Sequence, residues 1–153
     1  MRVWWTVAVV MVLLVSACGG SSRLSASSYR SHLATVAKEA DAAEGKVEKG
    51  FQAASVPQLV KVLTSFASTE RRIGDEVAGL ESPKNAEAAN MELASGFHDT
   101  AAEVQTFVPR VAKMPTAKAA ISFLQKTAQT KGGRELDDAL ASLKRLGYIK
   151  KVS

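Results

Sequence analysis

Apolar residues recur at intervals of three and four along most of the chain, which is the period of an amphipathic α-helix. The first apolar stripe predicts a helix over about 27–53, and the second predicts a helix over 56–80. Two further stripes predict helices over 83–112 and 116–146. The predicted fold class is therefore all-α.

Residues with capping propensity stand at the predicted helix boundaries. Ser55 and Gln58 have the Ser-x-x-Gln spacing of a capping box, and Ser82 begins a similar start signal before a proline. Thr116 is placed to cap the fourth helix, and Gly147 is placed to end it. These signals support the boundaries that the apolar stripes give.

Connections of only a few residues make neighbouring helices antiparallel. The predicted architecture is an antiparallel up-down-up-down four-helix bundle, about 40 Å long. Gly132 and Gly133 leave two alternatives open: they divide the fourth helix in two, or the region after Gly133 forms a hairpin beside a three-helix bundle. The apolar stripe resumes beyond the glycines, which favours packing on the same core.

The first 17 residues have the composition of a secretory signal peptide. Arg2 supplies a positive charge, and residues 3–15 form an uncharged, mainly apolar run. As a helix this run would rise about 20 Å, which is less than the hydrocarbon core of a bilayer. Export and cleavage are therefore favoured over a permanent transmembrane span.

The apolar run ends in Val15-Ser16-Ala17-Cys18. This segment resembles the lipobox of bacterial lipoproteins, in which a small pair precedes a cysteine that is acylated and becomes the first residue. The resemblance covers about the first twenty residues and implies a diacylglyceryl thioether on Cys18, with the protein on the outer face of the cytoplasmic membrane. Two acyl chains give the stable anchoring that one chain does not. The alternative is an ordinary secretory signal in which Cys18 is incidental.

Residues 18–26 form a short Gly/Ser-rich tether with a reach of roughly 15 Å. The predicted organisation is a signal peptide over 1–17, this tether, and one helical domain over 27–153. Cys18 is the single cysteine, so its lipidation leaves no thiol for a disulfide or a Cys-based metal site.

Motifs of the common active sites are absent from the sequence. His32 and His98 are the two histidines, and neither follows a Glu by three positions as di-iron bundles require. There is no haem-attachment motif, nucleophile elbow or phosphate-binding glycine loop. Asp137 and Asp138 point about 100° apart on a helix, which indicates solvated surface. We therefore expect no metal, no enzyme activity, and no cofactor besides the diacylglycerol.

The charge of the chain is mildly basic, with 20 Lys+Arg and 15 Asp+Glu. Nucleic acid is not the expected partner of an exported protein, so the expected partners are the membrane and an unidentified envelope protein. A basic cluster of Lys144, Arg145, Lys150 and Lys151 lies near the end of the chain. Either it contacts anionic lipid or wall polymer, or it is a solvated helix end that the helix dipole favours.

Small and polar residues coincide at mid-height when positions are counted outward from the predicted turns. Gly45, Gly96 and Gly132 fall at this height, and Glu70 and Asn90 interrupt the apolar stripes beside them. Such a layer would form a polar or hollow site for a small apolar or amphipathic ligand. The alternative is that the glycines allow close helix approach and Glu70 reaches water beside the two arginines that follow it.

Three functions are consistent with these observations. The predicted one is a noncatalytic helical interaction or spacer module of the cell envelope. The alternative is a carrier of a small apolar or amphipathic ligand, which a mid-bundle cavity above about 300 Å³ would favour. The third is an envelope enzyme, which requires convergent polar groups with strongly perturbed pKa values.

Overall fold

The computed structural model of the protein describes residues 22–52, 55–127 and 130–149. Within these ranges the chain forms α-helices and one short 3-10 helix, and no strand. The prediction of an all-α fold is confirmed for this part of the chain. The elements are α1 (Ala26–Gln52), α2 (Val56–Ala78), a 3-10 turn (Lys84–Ala86), α3 (Glu87–Ala112), α4 (Ala117–Lys126) and α5 (Lys131–Arg145).

The predicted signal peptide and Cys18 lie outside the described residues, as do Lys150 and Lys151. Within the described ranges, no helix combines the length and the apolar character that a bilayer crossing requires.

The predicted caps at the start of α2 and α4 are confirmed. The Gln58 N–H donates to the Ser55 hydroxyl, and the Ser55 N–H donates to Gln58 Oε1 at 2.9 Å. At the start of α4, the Ala119 N–H donates to the Thr116 hydroxyl at 3.2 Å. Both caps satisfy N–H groups that have no partner within the helix.

The start of α3 differs from its prediction, because Ser82 does not cap it. The 3-10 turn comes first, and Glu87 is the first residue of the α-helix. Ser82 is buried, and its carbonyl accepts a hydrogen bond from Arg23 at 3.0 Å. The chain that enters α1 is therefore attached to the connection between α2 and α3.

The predicted fourth helix is divided into α4 and α5, but the glycines do not make the break. Thr127 ends α4, and Thr130 caps α5 by accepting from the Gly133 N–H at 3.0 Å. Gly132 and Gly133 thus lie in the first turn of α5. A threonine that caps a new helix, rather than glycine flexibility, sets this boundary.

Gly147 ends α5 as predicted. Its φ of 78° lies in the left-handed region, which glycine adopts without steric cost. The Gly147 N–H donates to the Lys144 carbonyl at 3.1 Å and the Tyr148 N–H to the Leu143 carbonyl at 2.9 Å, which is the Schellman pattern. This turn directs Tyr148 into the core, where it is 8% exposed.

The helices pack in three main pairs, α1 with α2, α2 with α3, and α3 with α5. One cluster of buried side chains joins α1, α2, α3 and α5, and a second joins α2, α3 and α4. α1 meets the turn that follows α5 near one end, where the rings of Tyr29 and Tyr148 form an edge-to-face contact with centroids 5.1 Å apart. Beyond this contact, α1 and α5 line the two sides of a groove.

Candidate functional site

The groove between α1 and α5 has a volume of about 830 Å³. This volume is within the usual range of small-molecule sites. α1 and α5 provide its sides, while α2 and α3 contribute residues between them. The apolar lining includes Leu33, Val36, Leu93, Phe97, Leu136 and Leu140.

The groove is elongated along α1. Arg30 lines it near the contact between Tyr29 and Tyr148, and Glu44 lines it near the other end. The helical rise between Arg30 and Glu44 corresponds to about 20 Å. The site therefore suits an extended aliphatic molecule.

Glu70, on α2, brings a carboxyl group to this apolar groove. The residue is 3% exposed, and no hydrogen bond or ion pair to it is found among the described residues. Burial and, to a smaller extent, the negative charge of Glu44 raise the pKa of Glu70 to about 7. The carboxyl group is thus close to half-protonated at neutral pH.

Acidic side chains outnumber basic ones along the described lining of the groove. The acidic residues are Asp41, Glu44, Glu70 and Asp137. Burial, followed by repulsion from Asp41 and Glu48, raises the pKa of Glu44. The groove therefore concentrates negative charge in a chain whose formal net charge is +5.

The two arginines of the groove, Arg30 and Arg134, already have partners. Arg30 Nε donates to the Gly147 carbonyl at 3.1 Å, and its guanidinium lies 5.8 Å from the centre of the Tyr148 ring. Arg134 also has an interaction partner. Glu70, in contrast, is buried in the groove lining and has no protein hydrogen-bonding partner among the described residues.

Of the five residues predicted to form a mid-height layer, Glu70 lines the groove and the other four do not. Gly45 is half-buried, with open space where a Cβ would be. Asn90 is buried elsewhere: its Oδ1 accepts from the Tyr29 hydroxyl at 2.9 Å, and its Nδ2 donates to the Val77 carbonyl at 2.9 Å. Asn90 therefore joins α1, α2 and α3 rather than facing a ligand.

Gly96 and Gly132 lie at the contact between α3 and α5. A Cβ on Gly132 would collide with the backbone of Thr100, and one on Gly96 would lie 2.9 Å from the Leu136 side chain. Gly96 and Gly132 therefore fit the alternative to a ligand site, in which small residues allow two helices to approach closely.

Glu70 does not extend to the outer surface beside Arg71 and Arg72, because it is buried and lines the groove. Arg71 donates to Gln105 at 3.0 Å, and Arg72 donates to Glu39 at 2.6 Å. Both arginines are exposed, whereas Glu70 is buried. Adjacent positions on a helix point about 100° apart, so the carboxyl group faces the groove while the arginines face solvent.

The two histidines lie apart from the groove lining. His98 Nε2 is 3.0 Å from Asp75 Oδ1, and His32 is exposed on α1. Among the described residues, no group of three or more His, Cys, Asp or Glu side chains is arranged to hold a metal ion.

The described part of the basic cluster is exposed at the end of α5. Lys144 and Arg145 occupy the last turn, shortly before Tyr148, which contacts Tyr29 near the start of α1. These two basic side chains are therefore near the end of the molecule where α1 begins.

Sequence reasoning missed several groove residues, including Asp41, Glu44, Arg134 and Tyr148. A weak signal was present, since Asp41 and Glu44 directly follow Ala40 and Ala43, which belong to the apolar stripe of the predicted helix over 27–53. Polar residues at the edge of an apolar stripe are nevertheless usual on any amphipathic helix. The sequence does not show that α1 and α5 stay apart at this level and leave these polar residues facing a groove.

Comparison with protein-family models, curated proteins and solved structures gave no match for this chain.

Proposed function

We propose that the chain is a noncatalytic, lipid-anchored binding protein of the bacterial cell envelope, which holds a small amphipathic molecule in the groove between α1 and α5. The observation that carries this proposal is a groove of about 830 Å³ with aliphatic walls and one buried, unpartnered carboxyl group among its described residues. Apolar concavities with a few polar groups are the usual form of small-molecule sites. The carrier hypothesis is therefore preferred to an interaction or spacer module.

In this proposal the chain is an antiparallel up-down-up-down bundle, in which α4 and α5 together form the fourth helix. A diacylglyceryl group on Cys18 attaches it to the outer face of the cytoplasmic membrane. Two contacts hold the residues just before α1 in place. The Leu24 N–H donates to the Glu81 carbonyl at 2.7 Å, and Arg23 pairs with Glu87 at 3.0 Å. The tether then holds the Arg30 end of the groove close to the bilayer.

The proposal is tested by filling the groove with a bulky side chain. Ala37 and Ala42 are both exposed on α1, but Ala37 lines the groove and Ala42 does not. The full chain, purified from host membranes in a nonionic detergent, is extracted with organic solvent and analysed by mass spectrometry. We expect a small amphipathic molecule in stoichiometric amount with the wild type and Ala42→Trp, and its loss with Ala37→Trp.

Circular dichroism of both variants controls for folding. Equal recovery of the molecule from all three proteins would contradict binding in this groove. Its absence from the wild type as well as the variants would leave the interaction or spacer module as the better hypothesis.

A further inference from the structure

We propose that the ligand of this groove is an amphipathic organic cation, an aliphatic molecule whose protonated amine binds between Glu70 and Glu44. This inference rests on the proposed function, because it requires the groove to bind a small molecule. It adds the charge of the ligand and the end of the groove at which the charged group lies.

The first argument is the carboxyl group of Glu70, which lines the groove and has no protein partner among the described residues. Burial of an ionised group without a hydrogen-bonding partner is costly, and structures usually supply a partner. Glu70 is 3% exposed, faces the groove, and has no such partner within the described ranges. An ammonium group is complementary to it, since it carries a positive charge and up to three hydrogen-bond donors.

The second argument is the distribution of charge around the site. Acidic groups line the groove from α1, α2 and α5, and the two arginines that also line it are already engaged. An anionic ligand would be repelled by the carboxylates, whereas a cation would relieve their mutual repulsion. The ionisable groups that line the groove are Asp41, Glu44, Glu70, Asp137, Arg30, Arg134 and Tyr148.

The third argument is the position of the apolar walls. With the amine beside Glu70 and Glu44, an aliphatic chain extends toward Tyr148 along Leu33, Val36 and Leu136. The distance of about 20 Å between the levels of Arg30 and Glu44 accommodates an extended chain. The groove thus separates a site for charge from a site for hydrocarbon.

Cation binding also favours the ionised form of Glu70. Because burial raises the pKa of Glu70 to about 7 in the free protein, binding of an ammonium group releases a proton near neutral pH. Protonation of Glu70 competes with the cation, so amine affinity falls by up to about tenfold for each pH unit below 7. A neutral alcohol of equal chain length lacks this dependence.

The test uses three probes with one aliphatic chain and different head groups: octylamine, octanol and octanoate. Their affinity for the full chain in a nonionic detergent is measured by titration calorimetry at pH 5 and pH 8. We expect octylamine to bind at least tenfold more tightly than octanol or octanoate at pH 8, and to lose most of this advantage at pH 5. In carbon-13 spectra, octylamine but not octanol should lower the pKa of the Glu70 carboxyl.

Glu70→Gln and Asp138→Asn form a matched pair, because each removes one negative charge. Asp138 neighbours a groove residue on α5 but does not line the groove itself. We expect Glu70→Gln to weaken octylamine binding at least tenfold with octanol binding unchanged, and Asp138→Asn to retain the wild-type affinity. Loss of affinity in both variants would indicate a general charge effect and overturn the inference.

Two further outcomes separate this inference from the proposed function. If octanol or octanoate binds as tightly as octylamine, and Glu70→Gln has no effect, the groove binds amphipathic molecules but does not select a cation. If none of the three probes binds at either pH, both the cation site and the proposed binding function are contradicted.

Discussion

Glu70 lies between two apolar segments of α2. Ala67 belongs to the cluster shared with α3 and α4, and Ile73 belongs to the cluster shared with α1, α3 and α5. An apolar residue at position 70 would remove the cost of a buried carboxyl group. Residues that reduce stability in this way are commonly found at functional sites, where strain or desolvation is retained for binding.

Substitution Glu70→Gln is expected to change how stability depends on pH. Glu70 has a pKa of about 7 in the folded chain against a usual value of 4.5, so the folded state binds more protons between these two values. Stability therefore falls as pH rises from about 4.5 to 7 and stays lower above 7. Because solvent enters the groove and reduces the effect, we expect this contribution to be about 1–2 kcal/mol.

Urea unfolding followed by circular dichroism at pH 5 and pH 8 measures this effect. The wild type should lose about 1–2 kcal/mol more between these pH values than Glu70→Gln does. Asp138→Asn is the control, because Asp138 is exposed, and its pH dependence should follow that of the wild type. Equal pH dependence in the wild type and Glu70→Gln would show that Glu70 titrates as an ordinary exposed acid.

At the scale of helices, α3 holds α5 through polar contacts at the start of α5. Glu103, on α3, accepts hydrogen bonds from the N–H groups of Lys131 and Gly132 at 2.9 and 3.3 Å. The Lys131 side chain pairs with Asp99 and Glu135. A carboxylate at a helix N-terminus is favoured by the helix dipole, and Gly132 allows the backbones to approach closely.

Gly132→Ala and Gly45→Ala are expected to change stability in opposite directions. The added methyl at Gly132 would collide with Thr100 and lie 2.8 Å from the Gly96 carbonyl oxygen. Overpacking of this kind costs about 1–3 kcal/mol. Gly45 has nothing within 4 Å of the added atom, so alanine there should stabilise α1 by up to about 1 kcal/mol.

Thermal unfolding of both variants measures these changes. Gly132→Ala should lower the melting temperature, while Gly45→Ala should leave it unchanged or raise it. If alanine is tolerated equally at both positions, the close contact between α3 and α5 is not required for stability.

Helix boundaries were predictable wherever a local hydrogen bond sets them. Ser55, Thr116 and Gly147 act through residues at most five positions away in the chain, so their patterns are visible in the sequence. The predicted break of the fourth helix at Gly132 and Gly133 is wrong. It rested on the low helix propensity of glycine. In the structure Gly132 lies within the helix and serves a contact with Thr100, more than thirty residues earlier.

The groove was not predictable from the apolar stripes, because it depends on the distance between α1 and α5. Their stripes look like those of helices that close a bundle. Glu70 was recognisable as a polar interruption, but the same pattern also fits a side chain that reaches water. Only the arrangement of the helices separates these two possibilities.

For the whole molecule, different helices hold the two sides of the groove. α1 packs on α2, with Arg72 and Glu39 paired at 2.6 Å, and α5 packs on α3 through Gly132. The contact of Tyr29 with Tyr148 joins α1 to the turn that follows α5 near one end. This arrangement leaves the remaining length of the two helices available to a ligand.

The proposed anchor would determine where this groove operates, and Cys18→Ala tests it. If Cys18 carries a diacylglyceryl group, the wild-type chain should begin at residue 18, show the corresponding mass increase and partition into the membrane fraction. The variant lacks the thiol that forms the thioether, so it should carry no lipid and lose the anchoring of two acyl chains. Intact mass spectrometry and fractionation of the native host measure both properties. If the wild type and the variant are released as the same unmodified soluble chain, the lipoprotein prediction is wrong, and the groove would belong to a freely diffusing carrier.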